Sequence, residues 1–383
     1  MKHKIGLTLI FTTLLVGCTT PVSSSETPPA SEEIVISNES SEEVPTDYEN
    51  PVWEPVLADP AIIRGDDGIF YAYGTQDNAL WGDYYGVRYT PILSSPNLVD
   101  WEYRDQAFKP ATMPQWSESS GAGLWAPDIV RFGATYNLYY SLSVWGDPNP
   151  GIGVATGPSP LGPFTDQGKI FDSNEIGVGN SIDSATYIDD DGRVYMVWGS
   201  FYGIYGVELT SDGLSLKESK AEAHANKVIL AGVDNGRWEI GNYEGPYLIK
   251  ENSYYYMFLS TGTCCNGHYS TYEVRVCRSE SILGPYYDKA GNLMTSRQNI
   301  GTPVVRGNEH FAGVGHNSII KDDAGDYWIV YHGFDKQEDP YYGTTNRRAL
   351  LIDKLEWDSE GWPSVATLGA SRGATRPYIE PRS

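Results

Sequence analysis

Five stretches of this chain repeat one pattern, and no other feature limits its fold as much. They read DPAIIRGDDGIFYAYGT from Asp59, PDIVRFGATYNLYYSLS from Pro127, IDSATYIDDDGRVYMVWGS from Ile182, EGPYLIKENSYYYMFLSTG from Glu244 and HNSIIKDDAGDYWIVYHG from His316. Each has Asp, Glu or His at or beside its first position. A short apolar run follows, then a polar turn, then an aromatic-rich strand. The steps Asp59–Tyr71, Asp183–Tyr195, Glu244–Tyr256 and His316–Trp328 are 12 residues, and Asp128–Tyr139 is 11. The starts lie 69, 55, 61 and 72 residues apart. A β-unit recurring at such intervals suggests a propeller blade. The expected fold is therefore all-β, a five-bladed β-propeller. If equivalent positions point inward, the five polar residues meet on the central axis and form a candidate site.

GDDG at 65–68, DDDG at 189–192 and DDAG at 322–325 occupy one place in three repeats and predict hairpin turns between a blade's first two strands. An Asp-rich turn can mimic a calcium loop, but recurrence at one repeat position points to the turn. Helical periodicity is absent, except in the polar stretch Leu216 to Leu230, read as an insertion. Arg347 to Pro363, RRALLIDKLEWDSEGWP, is placed to pair back with the first blade and close the ring.

Composition fits this fold. The chain holds 11 Trp, 28 Tyr and 10 Phe, residues that favour strands and their cross-strand pairs. The net charge of −23 argues against nucleic acid or polyanionic partners and leaves room for a neutral polymer. A monomer is expected.

The first 50 residues are of another kind. Lys2 and Lys4 precede an apolar run from Ile5 to Val16, too short to span a bilayer as a helix. Leu15-Val16-Gly17-Cys18 looks like a bacterial lipobox, which implies a signal peptide over 1–17 and lipid on the Cys18 thiol. Residues 18–50, rich in Ser, Glu, Pro and Thr, read as a disordered tether. The propeller is assigned to 51–383. The expected location is the outer face of the cell membrane, held through the lipid anchor alone.

Cys264, Cys265 and Cys277 remain. An odd number outside the cell cannot all pair within the chain. One cross-strand disulfide to Cys277 and three free thiols both stay open. No C-x-x-C occurs, which argues against structural zinc.

H-E-x-x-H, the phosphate loop and G-x-G-x-x-G are all missing. What remains is carboxylates at repeat starts. Each alone has a plain structural explanation, as a turn, a cap or a loop residue. Three at matched positions point to a site.

The phrases LADPAIIR, WAPDI, GPSPLGPFTD, SIDSATY, EGPYLIK, GTCCNG, RSESILGPY and GVGHNSII, in this order over about residues 55–363, resemble glycoside hydrolase family 43 and, within it, the arabinan-degrading lineage. The resemblance implies a five-bladed propeller and hydrolysis with inversion. It implies Asp59 as general base, Glu244 as general acid and Asp183 as the carboxylate that orients the acid and tunes its pKa. An inverting pair stands about 6.5–9.5 Å apart, leaving room for water.

The resemblance further implies that His316 lies at the centre near a cation contacted through water. That ion would be Ca²⁺, largely water-coordinated. Arg348 is matched to a sugar-contacting arginine, with Arg347 adjacent. Trp125 is expected to stack on sugar and Asp128 to serve structure, while Trp81 and Trp145 would line outer subsites. IDSAT departs from relatives that carry Pro after the Asp.

The expected activity is a surface-tethered endo-1,5-α-L-arabinanase acting on arabinan or its oligosaccharides. An exo-acting α-L-arabinofuranosidase or β-xylosidase is the alternative within the family. A glycan-binding propeller lipoprotein without catalysis is the alternative of another class.

Overall fold

The computed structural model describes residues 47–79, 86–235, 242–296 and 300–381. Five four-stranded antiparallel sheets follow one another along the chain, each in plain sequence order. Their first strands are Ala61–Arg64, Gly123–Phe132, Ala185–Ile188, Tyr243–Glu251 and Phe311–Lys321. Each first strand touches the first strands of two neighbouring blades. These contacts run from blade 1 to 2, 3, 4, 5 and back to 1. The ring is closed, with the first strands innermost, as the repeats predict.

Alternation along each strand drives this packing. In Val194–Trp198 of blade 3, Val194, Met196 and Trp198 enter the core shared with blade 2. Tyr195 and Val197 enter the core shared with blade 4. Successive side chains point to opposite faces, so a strand apolar at every position is sandwiched between two blades. Five such cores fill the five spaces between blades. Truncating a large buried side chain such as Trp198 is expected to cost about 3–5 kcal/mol.

The Asp-rich turns are hairpins. Gly68, Gly192 and Gly325 all adopt positive φ, and each N–H reaches the carbonyl three residues back. Within Leu216 to Leu230, Lys220–Asn226 forms a short helix, started by Ser219 and Glu222 capping each other's backbone N–H.

Closure departs from the sequence expectation. Ala349–Trp357 and Pro363–Val365 are the third and fourth strands of blade 5. The chain entering blade 1 comes to them instead. Val52 and Leu57 donate to the carbonyls of Leu350 and Arg348, and Leu350 donates to Trp53. The fold also starts before residue 51. Asp47–Glu49 pairs with Gly373–Thr375, because Tyr48 buries its ring against Trp328 and donates to the Ile352 carbonyl at 2.8 Å.

The cross-strand disulfide is not formed. Cys264 bonds its neighbour Cys265. Cys277 lies opposite Met257, a free thiol in the core between blades 3 and 4. Cys18 lies outside the described residues, among which no helix is long and apolar enough to cross a membrane.

Candidate active site

The register of the first two strands gives the true alignment of the blades. Ala61, Asp128, Ala185, Tyr247 and Ser318 face Tyr73, Tyr139, Val197, Phe258 and Val330. Two residues earlier stand Asp59, Ala126, Asp183, Gly245 and His316. All five have positive φ, between 40° and 60°. This left-handed kink turns the chain two residues before that register position in every blade, within the first strand of blades 2, 4 and 5 and just ahead of it in blades 1 and 3. Only glycine takes it without strain, and other residues there cost about 1–3 kcal/mol. Asp59, Asp183 and His316 are thus equivalent. Glu244 stands one place earlier, level with Trp125, and Asp128 two places later than Ala126. The sequence repeat had treated Asp128 and Glu244 as equivalent to the others. It showed polarity and could not show φ.

A ring of bonds fixes these kinks. Ala126 N–H donates to Thr75 Oγ1 at 2.8 Å, Asp183 N–H to Ser141 Oγ at 3.0 Å, and His316 N–H to Ser260 Oγ at 2.8 Å. Asp59 N–H donates to Nδ1 of His332 at 3.0 Å. Each acceptor lies at the end of the second strand of the preceding blade. Blade 3 has Gly199 at that place, where a Cβ would fall 2.2 Å from the Gly203 carbonyl oxygen. There the Asp183 carboxylate takes over and accepts the N–H of Gly245. Asp183 is thereby tied to the residue that follows Glu244.

The three carboxylates, Trp125, His316 and Arg348 line one cavity of about 970 Å³, to which all five blades contribute. Asp59 accepts Thr75 Oγ1–H at 2.6 Å on one oxygen and Arg348 Nη1–H at 2.8 Å on the other. Burial, the largest single influence, raises its pKa; the Arg348 guanidinium is the largest of the opposing groups, and with His316, His332 and the Thr75 hydroxyl it more than reverses the rise. Asp59 ends well below the usual carboxylate range. His316 and His332 pull this way only when charged. Burial holds both below the usual histidine range, so arginine supplies the charge at neutral pH.

Glu244 and Asp183 move the other way. Burial raises Glu244 first of all, against hydrogen bonds from Tyr272 and from Ser200 Oγ at 2.9 Å. Burial also raises Asp183, helped by repulsion from Glu244 and Asp59. Two buried carboxylates this close do not both ionise, so the pair holds a proton near neutral pH. A backbone N–H can only donate, so Gly245 fixes a negative oxygen on Asp183. The hydroxyls of Ser200 and Tyr272 can donate or accept and tolerate either form of Glu244.

The remaining sequence candidates separate. His316 Nδ1 lies 3.4 Å from Asp59 Oδ1. Arg348 faces the cavity, whereas Arg347 turns away to Glu54 and Glu338. Trp125 is half-buried in the cavity wall, and Trp145 stands at the mouth, 81% exposed. Asp128 lies off the cavity and accepts the N–H of Thr186 at 2.7 Å, and burial pushes its pKa up to about 7. Trp81 lies outside the described residues. The Cys264–Cys265 pair forms part of the cavity wall. Sequence reasoning missed Ser200, Tyr272 and His332, which come from second-strand ends and a loop. The signal that could have found His332 is the place two residues beyond each second-strand partner: Thr75, Ser141, Gly199, Ser260 and His332.

Calcium fits only in one form. Among the described residues no three His, Cys, Asp or Glu side chains converge on a metal, so direct coordination is not supported. A neutral His316 beside Asp59 can accept from the water shell of an ion, as the hydrated ion expected from the sequence requires.

Comparison with known proteins agrees with this architecture. An extracellular exo-alpha-(1->5)-L-arabinofuranosidase of Cellvibrio japonicus is 36% identical over 286 residues, covering 72% of this chain and 79% of that protein. An extracellular endo-alpha-(1->5)-L-arabinanase of Bacillus subtilis is 32% identical, covering 81% and 87%. The structure of a Cellvibrio cellulosa alpha-L-arabinanase complexed with arabinohexaose superposes with a TM-score of 0.68 at 31% identity, over 82% of this chain and 96% of that one. Residues 48–363 match Glycosyl hydrolases family 43. The chain is a glycoside hydrolase and belongs to that family.

Proposed function

We propose that this protein is an inverting hydrolase of α-1,5-L-arabinofuranosidic linkages, cutting inside arabinan chains. The observation that carries the chemistry is the split among the buried carboxylates. Asp59 lies below the usual carboxylate range beside Arg348, while burial raises both Glu244 and Asp183; the shared proton is assigned to Glu244, because the Gly245 N–H can only donate to a negative oxygen of Asp183. One carboxylate ready to take a proton from water and one acid ready to give a proton to the leaving oxygen are what inversion needs. Asp183, fixed by Gly245, orients Glu244 and keeps its proton bound. Trp125 supplies a flat face for a sugar ring, and Arg348 offers donors to sugar hydroxyls besides its bond to Asp59. His316 and Asp59 would hold the water shell of a Ca²⁺ ion, which would add positive charge beside the base.

Cutting within the chain is supported by a mouth reached from every blade and by Trp145 exposed on its rim. The relative at 36% identity favours a second reading, exo-action from a chain end. Products of linear arabinan at early times separate them. Internal cutting gives a ladder of oligosaccharides, and exo-action gives one short product from the start. NMR of the first product should show the inverted anomer. A retained anomer would reject the assignment of base and acid.

Lipid attachment at Cys18, on the LVGC phrase and the acidic tether after it, is proposed as the means of holding the enzyme at the cell surface. Cys18→Ala should abolish lipid labelling and move the protein to the soluble fraction. Wild-type protein with an unmodified N-terminus in the medium would sink this proposal.

A further inference from the structure

We propose that His332 is a positioning residue that fixes the backbone of Asp59 while leaving its carboxylate free to receive a proton. The inference rests on the reading of Asp59 as the base. It begins with an exception in the ring of bonds between blades. Three of the five kink N–H groups go to a hydroxyl, on Thr75, Ser141 and Ser260. A fourth goes to the Asp183 carboxylate, opposite a glycine that admits no side chain. Only the kink of Asp59 is held by an imidazole.

The chemistry of the two acceptors differs. A hydroxyl accepts and donates at once. Thr75 Oγ1 takes the N–H of Ala126 and gives its own proton to Asp59 Oδ2. A serine at 332 would be free to do the same and would occupy a lone pair of the base. Imidazole Nδ1 cannot. While it accepts the Asp59 N–H it carries no proton, although Asp59 Oδ1 is only 3.4 Å away. The proton of the neutral ring is on Nε2. Asp59 therefore has two side-chain donors, Thr75 and Arg348.

The ring itself is clamped. His332 is fully buried and lies nearly parallel to Tyr272, with centroids 5.8 Å apart and planes 18° apart. His316 is offset at 6.3 Å and 27°. Tyr272 also hydrogen-bonds to Glu244. One stack thus joins the support of the base to that of the acid. The groups facing His332 are Asp59, His316, Arg348 and Tyr272. Burial, then Arg348, keeps its ring neutral.

His332→Phe keeps the ring stack and removes the acceptor. His332→Asn places an amide oxygen where Nδ1 stood. With arabinan as substrate, the Phe variant should lose roughly 10- to 100-fold in kcat with KM within about twofold, since the substrate contacts remain while the base is misplaced. The Asn variant should recover most of that loss. Side-chain ¹⁵N NMR of the unmodified protein should show His332 protonated on Nε2 alone and not titrating between about pH 5 and 8.

Near-normal kcat in the Phe variant, or equal loss in Phe and Asn variants that melt like the wild type, would overturn the proposal. So would an Nδ1-protonated or titrating His332, and this measurement decides alone should the Phe variant not fold. Asp59→Asn serves as the control. If it stays active, the reading of the base fails. If it is inactive while His332→Phe is not, only the role of His332 fails.

Discussion

Blades 1, 3 and 5 place Asp59, Asp183 and His316 at the left-handed kink, and blades 2 and 4 place Ala126 and Gly245 there. The backbone is the same in all five. The side chain is titratable in three, a methyl group in one and absent in one. A fold that merely needed the kink would favour glycine throughout, because only glycine adopts it freely. Strained residues that persist against that preference tend to mark functional sites. In blades 2 and 4 the side chain facing the cavity comes one place earlier, as Trp125 and Glu244. The propeller thus offers two inward positions per blade, and in each blade one of them carries a titratable or aromatic side chain facing the cavity. Glu244, on the earlier position, reaches its hydrogen-bond partners without carrying the strain itself.

The largest expected effects test this division directly. Asp59→Asn and Glu244→Gln should each lower arabinan turnover by at least about a hundredfold with the fold retained. Near-wild-type turnover in either, at an unchanged melting temperature, would remove that residue from its role.

His316 shares the kink but bears no charge at neutral pH, so its loss should cost less. His316→Ala is expected to lower turnover about tenfold, the lower range for a disturbed support of a reacting group or ion. Chelation should slow the wild-type enzyme and added Ca²⁺ restore it, while the variant responds less to both. Full activity in His316→Ala, from protein without metal by elemental analysis, would leave this histidine a packing residue.

Asp59 and Glu244 should also differ in what they do for stability. Folding lowers the pKa of Asp59 and raises that of Glu244. A lowered carboxylate stabilises the fold above its unfolded pKa, and this contribution fades as pH falls through the folded value. A raised one works against the fold once the unfolded chain has ionised. Near neutral pH, Asp59→Asn should therefore melt below the wild type and Glu244→Gln above it. The Glu244→Gln gain should vanish below the ordinary Glu range of about 4.3. Shifts of the same sign in both variants at neutral pH would contradict the opposed environments.

Much of this was legible in the sequence, for identifiable reasons. The five blades appeared because the polar starts, Asp-rich turns and aromatic strands recur together. The carboxylates appeared because they stand at those starts. The offset of Glu244 and Asp128 was hidden, since Pro60, Pro127 and Pro246 follow kinks whose residues differ in type. Ring closure was misplaced because an apolar strand looks the same whether it ends blade 5 or extends blade 1. Tyr272 and His332 were missed for another reason. Tyr272 comes from a loop, and His332 repeats a position but not a residue type, standing where the other blades have Thr75, Ser141, Gly199 and Ser260. The Cys264–Cys265 bond was beyond reach, because three thiols in sequence carry no register.

The smallest effect separates the two blades that lack a titratable kink. Ala126 shows that a methyl group is tolerated in blade 2, at a φ of 40°. In blade 4 a Cβ on Gly245 would stand 3.0 Å from His316 Nδ1 and 3.2 Å from its Cγ and Cε1, at a φ of 54°. The left-handed conformation alone costs an alanine about 1–2 kcal/mol, and the imidazole must also give way by a few tenths of an ångström. His316 is held by its own N–H to Ser260 and lies beside Asp59, so the ring cannot move without disturbing Asp59. Gly245→Ala is therefore expected to lower the melting temperature by a few degrees and turnover by severalfold, less than His316→Ala. It should leave the bond from residue 245 N–H to Asp183 in place, so the alkaline limb of the pH–rate profile should not move. If the alkaline limb shifts while the acid limb stays, the glycine serves the Asp183–Glu244 pair rather than His316. The equivalence of the five kinks would then hold for the backbone but not for the chemistry.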